Sequence, residues 1–135
     1  FAEILRQQVR SSDVVARVGG DEFVAGLVET SRQDAVRLGR RLLRAVASSS
    51  FECFGRAETI TVSIGVACFP EDPQVTSADK LIMCADQALY KAKAAGRNDL
   101  ACWQELDPEL RKRLVSQAGR GGLVVSGKPT LHLVE

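Results

Sequence analysis

R-V-G-G-D-E-F-V-A-G-L, residues 17–27, is the stretch that decides the fold of this chain. Two glycines and two adjacent acids separate an apolar run over residues 13–18 from another over residues 23–28. Because glycine reaches positive φ without a steric cost, the pattern predicts a β-hairpin with G-G-D-E at its tip. The turn itself needs only the glycines, so Asp21 and Glu22, which should project from it into solvent, require a separate explanation.

Helix and strand patterns alternate on both sides of this predicted hairpin. Residues 58–69 are apolar at odd and even positions alike, which indicates a central strand covered on both faces and ended by Pro70 and Pro73. The other predicted elements are helices over residues 1–10 and 31–48, a helix from Ser77 or Asp79 that stops at Gly96, a strand over 99–104, and a helix over 107–117 started by Pro108.

Length and charge limit the class of protein. The chain has 135 residues, about one domain, and 18 basic against 17 acidic residues leave a net charge near +1. No overall field therefore attracts a nucleic acid polymer or an anionic membrane. No apolar run approaches the roughly 18 residues of a membrane span. We expect a cytoplasmic segment without membrane contact, whose parent can be membrane-attached through regions outside it.

Cysteine and histidine usage narrows the chemistry. The four cysteines are widely spaced in apolar surroundings, which favours core thiols over a zinc site or a disulfide framework: Cys53, Cys68, Cys84 and Cys102. His132 is the only histidine, so one chain cannot build a histidine-based triad. Carboxylates, lysine and arginine remain as the candidate functional groups.

Two short stretches offer groups for phosphate chemistry. Asp21 and Glu22 on a glycine turn present hard oxygen ligands that suit Mg²⁺, with Mn²⁺ as an alternative; an ordinary solvated turn is the competing interpretation. In K-A-K-A-A-G-R-N, residues 91–98, Lys93 and Arg97 are four apart and are predicted to share one helix face that could hold phosphates. Cations also favour helix C-termini through the backbone dipole alone.

A third stretch is a decoy. G-L-V-V-S-G-K-P, residues 122–129, imitates a phosphate-binding loop, but Pro129 stands where the loop needs a hydroxyl group. We interpret the tail over residues 123–134 as a small solvent-facing hairpin after a flexible G-R-G-G joint.

Three motifs in this order resemble the GGDEF family of diguanylate cyclases: A-R-V-G-G-D-E-F, I-T-V-S-I-G-V-A and A-D-Q-A-L-Y-K-A-K-A-A-G-R-N. The resemblance covers residues 1 to about 104, which makes residues 1–104 a partial GGDEF domain and residues 105–135 a C-terminal extension or linker. It implies an α/β (α+β) fold with a cyclase-like, mostly antiparallel central sheet wrapped by helices.

The resemblance also implies an activity. In the family, two domains in a homodimer each bind one GTP with Mg²⁺, and the 3′-hydroxyl of each GTP attacks the α-phosphate of the other to give cyclic di-GMP and pyrophosphate. By position, Asp21 and Glu22 would hold the metal and one would help to deprotonate the hydroxyl. Gly19 and Gly20 would let backbone approach the nucleotide, and Lys93 and Arg97 would bind the terminal phosphates.

A product-inhibition site is implied further upstream. R-S-S-D, Arg10 to Asp13, stands five residues before Gly19 and looks like the family's RxxD site for cyclic di-GMP, with Arg41 as an additional arginine. Ordinary surface charge is the competing interpretation. A non-catalytic cyclic di-GMP receptor that uses these residues is the alternative function, and a purely structural interaction domain is a third.

The motifs start later than the family pattern does. The family's first strand and helix, with a further metal-binding Asp and residues that read guanine, have no match in these 135 residues. We therefore expect this segment alone to be catalytically inactive. We also expect its sheet to lack a central strand, which would leave an open edge or invite exchange between chains.

Overall fold

The structure is a computed structural model that describes residues 1–117 and 130–134. In these ranges the helices are α1 (Ala2–Gln8), α2 (Arg32–Ala47), α3 (Ala78–Ala94) and α4 (Pro108–Gln117). The strands are β1 (Val14–Arg17), β2 (Glu22–Gly26), β3 (Phe51–Cys53), β4 (Arg56–Glu58), β5 (Ser63–Ala67), β6 (Leu100–Cys102) and β7 (Thr130–Val134). A short 3₁₀ helix, Trp103–Glu105, follows β6.

Five of these strands form one sheet in the order β1-β2-β7-β5-β6. The β1–β2, β2–β7 and β5–β7 pairs are antiparallel, and only β5 and β6 run parallel. Strands β3 and β4 form a separate two-stranded sheet. This architecture confirms the predicted α/β fold with a mostly antiparallel sheet.

The five-stranded sheet is covered on both faces, as the apolar residues 58–69 predict. Every residue of β5 is buried. Ile64 and Val66 belong to a core cluster with residues of α1 and α2, whereas Ala67 belongs to a second cluster with residues of α3. The alternation of side chains along β5 therefore divides the core between two helical layers.

Helix α3 lies unusually close to β5 because of Gly65. A Cβ atom at this position would lie 1.9 Å from the carbonyl oxygen of Ala85 and 2.4 Å from the amide nitrogen of Leu89. Both obstacles are helix backbone, so they cannot move aside as a flexible side chain could. Only glycine fits at this contact.

Local capping signals set the ends of the helices. The Ser77 side chain accepts a hydrogen bond from the amide of Lys80 and begins α3, which decides between the two predicted starts. Pro108 occupies the first position of α4, as predicted, where its missing N–H costs nothing.

A buried ion pair joins three parts of the chain. A guanidinium nitrogen of Arg32 lies 2.7 Å from Oδ1 of Asp72, and another donates to the side chain of Gln104. The amide of Cys68 donates to the other carboxylate oxygen of Asp72. Burial raises the pKa of Asp72, while the Cys68 amide and the Arg32 guanidinium oppose that rise. The pair fixes the start of α2 against the segment that follows β5.

Three cysteines confirm the prediction of core thiols. Cys68, Cys84 and Cys102 are free and buried. Burial raises the pKa of Cys68 and Cys84 to about 12 and that of Cys102 to about 11. These thiols therefore stay protonated and unreactive at neutral pH.

The long strand predicted over residues 58–69 is wrong in its first part. Regular pairing in the main sheet begins at Ser63, whereas β4 pairs with β3 in the small hairpin. The tip of that hairpin is Phe54-Gly55, with φ values of 50° and 73°. The sequence F-G permits this turn, but apolar patterning alone gave no sign that β4 leaves the main sheet.

The predicted tail hairpin is also wrong where it can be compared. Its first part lies among residues 118–129, outside the described ranges. Its second part is β7, which pairs with β2 and β5 in the interior of the main sheet. The central position that we expected to be open is thus occupied by β7. No helix in the described ranges is both long and apolar enough to span a bilayer.

Candidate functional site

The G-G-D-E turn connects β1 to β2, as predicted, and Arg17 holds it. The amide of Val18 donates to the carbonyl of Glu22 at 2.9 Å, and Nε of Arg17 donates to the carbonyl of Gly20 at 2.9 Å. The Arg17 guanidinium also lies over the ring of Phe23, 5.7 Å from its centre. Sequence reasoning missed Arg17; its only signal was a cation directly before the turn.

The two glycines of the turn serve a different purpose from the one predicted. In the described ranges, the glycines with positive φ are Gly55 and Gly96, not Gly19 and Gly20. A Cβ at Gly19 would lie 3.1 Å from a carboxylate oxygen of Glu22, whereas a Cβ at Gly20 would meet nothing within 4 Å. Gly19 therefore leaves room for the Glu22 side chain, and Gly20 leaves open space outside the turn.

The two acids are accessible. Asp21 is exposed and Glu22, the first residue of β2, is half-buried. Within the described ranges there is no group of three or more histidine, cysteine or acidic residues that could enclose a metal ion. Two carboxylates on an open turn instead fit Mg²⁺, which usually takes one or two carboxylates and completes its shell with water and phosphate oxygens.

Lys93 and Arg97 do not share a helix face, contrary to the prediction. Helix α3 ends at Ala94, and Gly96 and Arg97 have φ values of 119° and 64°. The amide of Gly96 donates to the Lys93 carbonyl and that of Arg97 to the Ala92 carbonyl, which is a Schellman motif. Lys93 thus lies on the last turn of α3, and Arg97 lies on the loop that leaves it.

The strand register brings this loop to the same end of the sheet as the acidic turn. Glu22 pairs with Val134, and Val134 pairs with Ser63 at the start of β5. The carbonyl of Asp99, two residues after Arg97, accepts the amide of Ile64 at 2.9 Å. The two segments are therefore separated by about two strand spacings, roughly 10 Å between the axes of β2 and β5.

The residues of the predicted inhibitory site line one cavity on another part of the molecule. Arg10, Asp13 and Arg41 border a surface cavity of about 350 Å³ between the first loop and α2. Arg37, one turn before Arg41, also lines it and pairs with Asp34 at 2.8 Å. Sequence reasoning missed Arg37, although its i, i+4 spacing from Arg41 indicated the shared face.

Protein contacts already occupy part of this cavity's chemistry. The Asp13 carboxylate accepts the Val28 amide at 3.0 Å and the Arg10 amide at 2.8 Å. The Arg41 guanidinium donates to the side chain and the carbonyl of Gln8 at 2.5 and 2.9 Å. Asp13 therefore holds the loop that presents Arg10, and Arg41 joins α1 to α2.

Fold and site together define a domain class with an acidic glycine turn and a cationic loop at one end of a cyclase-like sheet. The family model described as "Diguanylate cyclase, GGDEF domain" matches residues 1–99. This chain belongs to the GGDEF family.

Individual relatives agree with this assignment. The chain is 36% identical over 97 residues to Diguanylate cyclase A of Treponema denticola, a match that covers 72% of this chain and 26% of that protein. It is 38% identical over 110 residues to Diguanylate cyclase DosC of Escherichia coli K12, with 76% and 23% covered. The chain thus spans about a quarter of the length of these curated relatives.

A solved structure supports the fold. It is a shortened form of TpbB, or YfiN, from Pseudomonas aeruginosa that comprises only the GGDEF domain. The TM-score is 0.70 at 30% sequence identity, and the match covers 82% of this chain and 64% of the other.

Proposed function

We propose that the parent protein of this segment condenses two GTP into cyclic di-GMP and pyrophosphate, with Mg²⁺ or Mn²⁺ as cofactor. The observation that carries the proposal is the register that brings Glu22 and the loop with Arg97 to one end of the sheet. Oxygen ligands for a metal beside cations for phosphates are what phosphoryl-transfer chemistry requires of a protein.

Each candidate residue has a role in this proposal. Asp21 and Glu22 hold the metal, which when bound neutralises charge on the phosphates, and one carboxylate accepts the proton of the attacking 3′-hydroxyl. Lys93 and Arg97 bind the terminal phosphates as a point charge and a planar fork. The missing side chain at Gly20 lets the nucleotide approach the turn, where a Cβ would face open space.

Catalysis needs two copies in this proposal. The two domains of a homodimer face each other, and each supplies the 3′-hydroxyl that attacks the α-phosphate held by the other. Since nothing in this segment is assigned to the guanine base, we expect the 135 residues alone to be inactive even when folded. Orientation of the reacting groups is a large part of the rate acceleration in such a reaction.

Product inhibition is the second part of the proposal. The cavity bordered by Arg10 and Arg41 offers guanidinium groups to phosphate and guanine acceptors, and its volume of about 350 Å³ suits part of a dinucleotide. Asp13 supports the site by holding the backbone of Arg10. Bound cyclic di-GMP would then lower the rate of its own synthesis.

The alternative is a receptor that binds cyclic di-GMP in this cavity without making it. The cavity favours this function as much as it favours inhibition, but a receptor would not need Asp21 and Glu22. Incubation of the parent protein with GTP and Mg²⁺, with the product separated by chromatography, distinguishes the two. Cyclic di-GMP formation supports the cyclase. Binding of cyclic di-GMP in calorimetry without any GTP turnover would replace it with the receptor.

A further inference from the structure

The most unusual feature of the main sheet is the origin of its central strand. Strands β2 and β5 do not pair with each other; both pair with β7, which runs antiparallel to each. All five residues of β7 have a register partner on either side. Without it, the facing backbone N–H and C=O groups of β2 and β5 would lose their partners in the core of the domain, which is costly.

We propose that the space between β2 and β5 is a strand-binding slot and that residues 130–134 of the same polypeptide are its ligand. Its chemistry is that of an extended peptide, bound by main-chain hydrogen bonds on both sides. This proposal concerns how the fold is completed and does not depend on the proposed activity.

The chain length favours the chain's own segment over that of a second copy. Twelve residues separate α4 from β7. A chain of that length reaches at most about 40 Å, more than the radius of gyration of about 14 Å expected for a domain of this size. A tethered segment has an effective concentration in the millimolar range, far above that of a second copy in dilute solution.

The slot also reaches the acidic turn. Glu22 pairs with Val134 at the end of the slot. A seated β7 therefore fixes the backbone of Glu22 through the ladder, so an empty slot would loosen both the strand and the turn.

Engineered cysteine pairs test the occupant and its register. Val24 lies opposite His132, whereas Leu131 lies opposite Ala25. Val24→Cys with His132→Cys places two Cβ atoms on one face at a distance that a disulfide can bridge. Val24→Cys with Leu131→Cys is the matched control, because neighbouring residues point to opposite faces. The full chain is oxidised, and disulfides are located by mass spectrometry.

We expect the in-register pair to cross-link within one chain and the control pair to remain reduced. Equal cross-linking of both pairs, or no cross-link in either, would overturn the proposal. Disulfides found only between two chains would overturn the choice of occupant, since a second copy would then fill the slot.

Hydrogen exchange on a proline variant gives an independent measurement. His132→Pro removes a ladder donor opposite both Val24 and Gly65. We expect loss of slow exchange along β2 and β5, including the amide of Glu22. Ala57→Pro in β4 is the control, and its effect should stay within the small β3–β4 sheet. Unchanged protection of β2 and β5 in His132→Pro would contradict the proposal.

Discussion

The acidic turn and the arginine cavity differ in how far the protein satisfies their polar groups. In the turn, the backbone and Arg17 are engaged, while the side chains of Asp21 and Glu22 are left accessible. In the cavity, Asp13 is bound to two backbone amides and Arg41 to Gln8. Ligand chemistry is thus separated from structural support in the turn, whereas the cavity combines them.

This difference separates two kinds of mutational effect. A change at an accessible side chain should alter binding or catalysis while the stability of the fold stays the same. A change at a group that supports backbone should lower stability as well. The following experiments test whether the two regions obey this distinction.

The largest effect is expected at the turn. Glu22→Gln in the parent protein should lower cyclic di-GMP synthesis by roughly 100-fold or more, because a metal ligand worth several kcal/mol is lost. The midpoint of thermal unfolding should not change. Glu29→Gln is the control, since Glu29 is an exposed acid beyond the opposite end of β2. Comparable activity of the two variants would show that Glu22 does not hold the metal.

The next effect is expected at the accessible arginine of the cavity. Arg10→Ala should raise the cyclic di-GMP concentration needed for half-inhibition about tenfold, the loss expected from one or more charge-assisted hydrogen bonds. Steady-state rates at increasing cyclic di-GMP measure it. Arg6→Ala, an exposed arginine of α1 that does not line the cavity, should leave inhibition unchanged. If both variants keep normal inhibition, the cavity is not the product site.

A stability effect should distinguish Asp13 from Asp21. Asp13→Ala removes the acceptor of two backbone amides and should lower the free energy of unfolding by about 1–3 kcal/mol. Asp21→Ala should change it very little, since Asp21 is exposed. Denaturant titrations of both variants measure the difference. An equal loss in the two would remove the contrast between turn and cavity.

The smallest effect is expected from the two glycines of the turn. A methyl group at Gly19 would press on the Glu22 carboxylate, whereas one at Gly20 would meet no protein atom. Gly19→Ala should therefore weaken Mn²⁺ binding to the parent protein slightly, and Gly20→Ala should leave it unchanged. Metal titrations without nucleotide measure both. Weaker binding in Gly20→Ala alone would contradict this geometry.

Sequence reasoning succeeded where the determinants are local. Ser77 caps α3, Pro108 starts α4, and Gly96 ends α3 through its positive φ. The glycine turn between two β-branched runs gave the β1–β2 hairpin. In each case the residue that decides the structure lies within a few positions of the structure it decides.

It failed where distant or backbone-mediated contacts decide. Arg97 follows the helix pattern of Lys93, but the Schellman turn at Gly96 takes it off the helix. The position of β7 depends on ladders to strands more than 60 residues earlier in the chain, which local patterning cannot reveal. The hydrogen bonds of Asp13 to backbone depend on how the loop folds. The site was therefore predictable as residues but not as geometry, and the roles of those residues stay predictions.

The contact between Gly65 and α3 has a consequence for how an anion would be held. Because helix backbone rests directly on β5, α3 has little freedom to slide, and Lys93 lies only one turn beyond Leu89 on that fixed element. Arg97 lies on an exposed loop in the left-handed region of backbone space. Of the two cations, Lys93 would therefore be preorganised, while the entropy lost on binding a phosphate would fall mainly on Arg97 and its loop.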